Sequence, residues 1–342
     1  MKHFKTFAAA IAAFSILFAT SCSSDDDFTP EDDGGGNVEL TDLSGNLESS
    51  RVLLATEEYT VTGPYLVKAG ATLTIPAGTV IVSQSTQDRY IAVEQGGRID
   101  IQGTANLPVI MRSDSGASGS WGGLLICGEA PTTEGVDVTA EVAGLIYGGT
   151  NPAHSSGNID YLIIEDAGAQ INSESQYNGL TLYSVGSGTT IDNVAIINGA
   201  DDGVEFFGGT VSVTNLYLEN NEDDAVDWTE GWNGTITNTY SLHTIEGFST
   251  AVEADGDNGN PKLINFTAVS NTGGTALQFK KESGATMTNV FLNGYTTNVD
   301  MKDNGPIGNV IIDGAPMTDP SNDVFNGTAV DISGWDWINS NI

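Results

Sequence analysis

The side chains in this chain with the most chemistry to offer are carboxylates, and they come in two matched phrases. Asp201-Asp202-Gly203-Val204-Glu205-Phe206 returns as Asp223-Asp224-Ala225-Val226-Asp227-Trp228. Each phrase holds an adjacent acidic pair and a third acid three residues beyond the second. If the copies stack as neighbouring strands, about 4.8 Å apart, like charge faces like charge. Each such contact costs about 0.9 kcal/mol in bulk water and about 3.5 kcal/mol at an effective dielectric of 20. A cation would offset that cost, and a ligand set made only of oxygens suits Ca²⁺. The expected metal ligands are therefore Asp201, Asp202, Glu205, Asp223, Asp224 and Asp227. Two other readings stand beside this one. The Asp-Asp pairs can cap turns through local backbone hydrogen bonds. As paired carboxylates, Asp202 and Asp224 can also act as the acid and base of glycosidic hydrolysis.

What positions these residues is a repeat. The triplets Leu180-Thr181-Leu182, Val204-Glu205-Phe206, Val226-Asp227-Trp228, Val252-Glu253-Ala254, Leu277-Gln278-Phe279 and Val299-Asp300-Met301 recur with coil spacing. So do Asn193, Asn215, Asn238, Asn265, Asn289 and Asn309. Two columns that keep step every 20–30 residues or so mark a solenoid, whose units bury apolar surface only by stacking on one another. The fold expected is all-β: a right-handed parallel β-helix with coils of about 22–27 residues.

The asparagine column predicts a corner. Ile191, Val213, Ile236, Leu263, Met287 and Ile307 lie two residues before each Asn, and Val194, Leu216, Thr239, Phe266, Val290 and Val310 one residue after. A straight strand cannot put positions −2 and +1 on one face, so the chain must bend at the Asn. Asparagine tolerates the left-handed backbone such a bend requires, and stacked amides can hydrogen-bond from coil to coil. The triplet column predicts Phe206, Trp228, Phe279 and Met301 pointing inward, with Thr181, Glu205, Asp227, Glu253, Gln278 and Asp300 in one outward row. Trp232, in the phrase Glu230-Gly231-Trp232, is expected past the strand in a turn. Trp232, Glu230 and Glu253 are therefore the candidate ligand-binding residues.

Upstream, LTIPAGTVI, GGRIDIQGT, LPVIMRS and GSWGGLLICGEA read as short strands punctuated by glycine. With DDGVEFFGG and DDAVDWTEGW they resemble a group of bacterial parallel β-helix lipoproteins, and the asparagine column resembles the ladder of pectate-lyase-like β-helices. The resemblance implies the fold. It also raises a polysaccharide-cleaving enzyme as an alternative to a binding module. A lyase of that kind needs a base near Ca²⁺, yet no arginine follows Arg112, and Lys280 and Lys281 lie two and three coils from the acids. His243 lies in the same region without a glycine on either side.

The N-terminus reads as an address. Lys2 and Lys5, the apolar run from Phe7 to Ala19 and then Thr20-Ser21-Cys22 describe a secretory signal. Cys22 placed straight after small residues resembles a lipidation site, and the Ser-Ser-Asp-Asp-Asp that follows resembles the export signal of Bacteroidota surface lipoproteins. The expected organisation is a signal at 1–21, an acidic and Gly-rich tether at 22–50, and one β-helix domain at 51–342. An insertion is expected near 130–158 and a C-terminal cap, built on Trp335 and Trp337, near 320–342. Cys127 is expected to be a buried apolar residue. A net charge of −34, from 45 acidic and 11 basic residues, argues against nucleic acid and against anionic membrane surfaces. The expected location is the outer membrane, facing outward, with membrane contact only through the lipid. Expected partners are a glycan, a surface protein or an outer-membrane transporter complex.

Overall fold

The computed structural model of the chain describes residues 41–173, 175–320 and 325–339. The expected signal, Cys22 and most of the tether lie outside them. Among the described residues, 23 strands join into one sheet that is parallel except at its last pairing. Three stacks build it. The first runs through Ile91–Val93, Leu124–Cys127, Leu180–Tyr183, Val204–Phe207, Val226–Thr229, Thr250–Ala254, Thr275–Phe279 and Thr297–Met301. The second and third share long strands, such as Thr190–Ile197, Ser212–Glu219, Thr235–His243 and Lys262–Ser270, each bent in the middle. This is the expected parallel β-helix.

The bend is at the asparagine. Asn193, Asn215, Asn238, Asn265 and Asn289 have φ of 57°, 57°, 59°, 56° and 53°. The Nδ2 of each later rung donates to the Oδ1 of the rung before, at 2.9, 2.9, 2.8 and 3.0 Å. Asn193 starts the column by donating to Asp160 Oδ1 at 2.7 Å. Asn309 is not a rung. It lies in a single 3-10 turn, Ile307–Asn309, and its Nδ2 donates to Glu282 O. Val310 pairs with Ala285, so counting along the strand sets Gly314, with φ of 83°, in register with Asn289. The repeat slips there because the last coil turns into a hairpin between Val310–Ile312 and Ala315–Pro316.

The interior is apolar and stacked. Phe206, Trp228 and Phe279 all point inward, 0–2% exposed. The first strand, Asp42–Leu47, pairs in parallel with Glu58–Val67, and Leu43 is fully buried. The β-helix therefore begins inside the segment expected to be tether, because Leu43 already has an interior to fill.

The tryptophans near the C-terminus do not close the open coil. Met317 and Phe325 join the interior cluster at that end. The following segment runs back as a strap along the outside of the third stack. Gly327 N donates to Val290 O, Val330 N to Thr267 Oγ1, and Trp337 meets Tyr161 edge-on at 5.8 Å. The reason lies in the strands: Ile163, Ala195, Ile197 and Tyr217 leave an apolar outer face that Trp337 and Ile338 bury.

The insertion near 130–158 folds over the outer face of the first stack. Its hairpin, Val138–Thr139 with Ile146–Tyr147, packs Val142, Leu145 and Tyr147 onto a cluster that includes Tyr183, Phe207 and Cys127. Cys127 is fully buried, and burial pushes its thiol pKa well up.

Candidate functional site

The two acidic pairs lie on the connections from the third stack to the first, and Glu205, Asp227 and Glu253 lie on the first stack itself. Register puts Glu205 beside Asp227 and Asp227 beside Glu253. The carboxylates form two linked groups, Asp201 with Asp202 and Asp223, and Asp202 with Glu205 and Asp227. Within each group the oxygens lie within 4.8 Å of one another, and Asp202 belongs to both.

Asp224 stands outside both groups. Its Oδ1 accepts the Thr250 hydroxyl at 2.5 Å, and its own backbone N–H donates to Asp202 Oδ1 at 3.0 Å. Neither bond is the local backbone cap expected of the Asp-Asp pairs: both run from one coil to the next, and with Asp224 outside the groups five of the six expected ligands are brought together. Asp202 and Asp224 are only 6% and 3% exposed. So little exposed surface gives a polymer strand poor access to either carboxylate.

Burial and mutual repulsion act on this cluster together. Burial and then Asp223 push the Asp201 carboxyl up to about 8. Burial raises Asp202, Glu205 and Asp227 well above the ordinary range. Asp227 is the next cause for Asp202 and Glu205, and Glu253 for Asp227. Few donors offset this. Asn178 Nδ2 donates to Glu205 Oε2 at 2.6 Å. Asp227 Oδ1 is buried and has no hydrogen-bond partner. A buried carboxylate oxygen without a donor costs about 1–3 kcal/mol or more, and Asp227 is one of the residues whose carboxylates converge.

Other residues come out differently from expectation. Trp232 is fully buried, stacked on Phe206 with ring centroids 4.1 Å apart, and its Nε1 donates to Val211 O at 3.1 Å. It is a core residue, because the turn after Thr229 folds inward beneath the next coil. Glu230 is also not a free ligand-binding group. It accepts the Thr132 hydroxyl at 2.6 Å and the Tyr147 hydroxyl at 2.8 Å, and so pins the insertion. Glu253 is 9% exposed, accepts from Gln278 Nε2 at 2.9 Å and forms an ion pair with Lys280. Thr181, expected to face outward, is fully buried because neighbouring segments cover that face. His243 is buried as well, stacked on Phe248 at 3.8 Å.

Of three further residues of the site, Lys280 was expected to lie too far from the acids, and Asn178 and Glu141 were not anticipated. Lys280 reaches back across the coils. Burial alone would lower its pKa, but the Glu253 hydrogen bond and charge, then Asp227 and Asp224, raise it on balance. Asn178 steadies Glu205 from an irregular segment with no repeat signal. Glu141, on the insertion, adds repulsion to Asp201 and Glu205. A second corner column, Asp166, Asn198 and Asn220, with φ of 64°, 60° and 55°, frames the acidic connections. Its two asparagines share the coil spacing and were readable in the sequence.

The sequence matches the family described as Pectate-lyase like beta helix domain over residues 45–326. Among curated proteins and among solved structures, nothing matches the chain.

Proposed function

The chain belongs to the pectate-lyase-like β-helix domain family, and from that premise we propose that it is a lipid-anchored surface module that binds an extracellular glycan with the help of Ca²⁺. The observation that carries the reading is the pair of carboxylate groups joined through Asp202, one of which includes Asp227, whose Oδ1 is buried and without a hydrogen-bond partner. Asp201, Asp202, Glu205, Asp223 and Asp227 would hold the cation. Carboxylate oxygens at several coils suit a hard ion with six to eight oxygen ligands. A cation seated there, near the surface at the exposed Asp223, would offset part of the local negative charge and could take a polysaccharide carboxylate as one of its six to eight oxygen ligands, which a chain of net charge −34 otherwise repels.

Binding fits the site better than cleavage does. Asp202 and Asp224 are enclosed, and the Glu253 ion pair keeps Lys280 protonated at neutral pH, which suits it poorly to abstract a proton. Anchoring through the Cys22 thiol, with the chain facing the cell exterior, is part of the same proposal. Lipid labelling of the parent and of Cys22→Ala tests it, with label expected on the parent alone.

The purified protein is to be titrated with Ca²⁺ in a calorimeter. It is then passed over immobilised acidic and neutral polysaccharides with and without chelator, while release of new chain ends is followed. Calcium-dependent retention on the acidic polymer without new ends is expected. New ends would make the protein an enzyme. Neither retention nor ends would redirect the search to a surface protein or a transporter complex.

A further inference from the structure

The strap and the asparagine ladder enclose a trough of about 270 Å³, walled by Asn238, Asn265 and Asn289 on one side and by Thr328, Asp331 and Trp335 on the other. It lies at the corner between the second and third stacks, apart from the acidic cluster. Ladder amides are not saturated by stacking, since each NH₂ has two protons and the ladder takes one. Asn289 displays what the second proton can do. Its Nδ2 donates to Thr328 O at 3.1 Å, and Thr328 N donates back to its Oδ1 at 2.7 Å. The strap's own backbone thus reads the outward edge of that amide as a donor and acceptor pair. One and two coils earlier, Asn265 and Asn238 also line the trough; their Oδ1 atoms already accept from the next rung, and each keeps the amide proton that the ladder does not take.

The opposite wall supplies an aromatic face and an anion. Trp335 is half-exposed and stacked on Trp337 at 6.1 Å, and Trp337 is in turn held against Tyr161. The indole is therefore fixed before any ligand arrives. Asp331 is exposed, and its Oδ1 accepts the Ser333 N–H at 2.9 Å, which orients the carboxylate.

An aromatic plate, fixed amide donors and a carboxylate acceptor around one small concavity match a ring that carries an apolar C–H face and a rim of hydroxyls. The volume lies just under the roughly 300 Å³ lower bound of drug-sized pockets, enough for a single ring rather than a peptide run. The negative wall disfavours uronic acids. We propose that this trough is a subsite for one ring of a neutral saccharide, stacked on Trp335 and hydrogen-bonded by Asn238, Asn265 and Asp331. It is distinct from the calcium-dependent site proposed above and does not depend on it.

The test titrates the full-length protein with methyl glycosides of glucose, galactose and mannose in the presence of a calcium chelator. Saturation-transfer NMR on the sugar and tryptophan fluorescence report binding. At least one glycoside is expected to bind. Trp335→Ala and Asp331→Ala are each expected to weaken it about 10-fold or more, and Trp335→Phe to retain most of it. Asp331→Ala removes a surface side chain, so an unchanged melting temperature separates lost contact from lost fold. The proposal is overturned if no glycoside binds at about 10 mM, if binding survives both alanine substitutions, or if it appears only with Ca²⁺ present.

Discussion

Two columns of polar side chains climb the same β-helix with the same rise, and they behave in opposite ways. Along the ladder corner, Asn193 to Asn289 stack amide on amide, each donating to the rung before. Along the first stack, Glu205, Asp227 and Glu253 stack carboxylate on carboxylate. An amide is both donor and acceptor, so translation by one coil brings complementary atoms together. An ionised carboxylate only accepts, so the same translation brings repulsion. Repetition stabilises the first column unaided and makes the second depend on something from outside the repeat. Lys280 answers at Glu253 and Asn178 at Glu205, while Asp227 Oδ1 is left without a donor.

The comparison breaks most readily at Asp202, the residue common to both carboxylate groups. Asp202→Asn keeps an oxygen for the Asp224 N–H but removes the charge. Calcium affinity is expected to fall at least about 100-fold. Without calcium, the melting temperature is expected to rise, because a repelled buried charge has gone. Asp224→Asn, outside both groups, should leave calcium affinity within about threefold. Calorimetric titration and thermal unfolding with chelator read the two effects. Equal losses in both variants would mean that the grouping around Asp202 is not the site.

The ladder is challenged at its middle rung. Asn238→Ala removes two amide hydrogen bonds of about 1 kcal/mol each and leaves an L-residue in the left-handed region, at a further 1–2 kcal/mol or so. Denaturant unfolding should therefore show a loss of about 3 kcal/mol. Asn238→Gly should recover about 1 kcal/mol of it by relieving the backbone. Asn238→Asp sets a carboxylate against Asn215 Oδ1 and imports the defect of the other column, so it should be no better than alanine. If Asp were tolerated as well as Asn, the donor–acceptor account of the ladder would be wrong.

His243 shows a third way for a polar group to live inside the repeat, which is to give up its charge. Burial lowers its pKa from 6.5 to about 4. Phe248 covers one ring face, and the Tyr295 hydroxyl lies 3.1 Å from Nδ1. Burial raises the Tyr295 pKa, so that hydroxyl stays neutral over the acid range. The unfolded chain takes up the His243 proton first as pH falls. The stability the residue contributes is thus complete above about pH 6.5 and lost progressively down to about pH 4, by about 3 kcal/mol. Unfolding measured across that window, in the parent and in His243→Phe, should show a shallower acid limb in the variant.

These regions also differ in how far they could be read from sequence. The bend at asparagine follows from apolar residues at −2 and +1, and five of the six expected rungs are in place. The inward aromatics followed from the same arithmetic. Failures fall where a contact is made once. Trp232 after a strand reads as a turn residue, and only the stacked Phe206 and the Val211 carbonyl reveal it as core. The Trp335–Trp337 strap binds a face far back along the chain, at Tyr161, with no periodic signature. Glu230 meets Tyr147 across 83 positions. Of the acidic cluster, its existence was legible, but which carboxylates converge and which bond to the next coil was decided by side-chain direction.

Glu230 offers the gentlest test of that boundary between repeated and unique contacts. Its two oxygens accept from Thr132 and Tyr147 and clasp the hairpin to the coil, while the coil itself holds by ladder and core. Glu230→Gln keeps the shape and reverses one of the two clasping bonds, the hydroxyl now accepting from the amide, so two charge-assisted bonds become neutral ones, at about 1 kcal/mol. If the hairpin opens as its own unit, that energy appears as about a fivefold faster local opening. Hydrogen exchange at the Ala140 N–H, which donates to Leu145 O at 2.8 Å, and proteolysis between Thr132 and Tyr147 should both report it, with global unfolding barely moved. A matching fall in global stability would show that the hairpin is a structural part of the stack. A local effect alone would confirm that the β-helix stands by repetition, and that what is laid over its outer face is secured contact by contact.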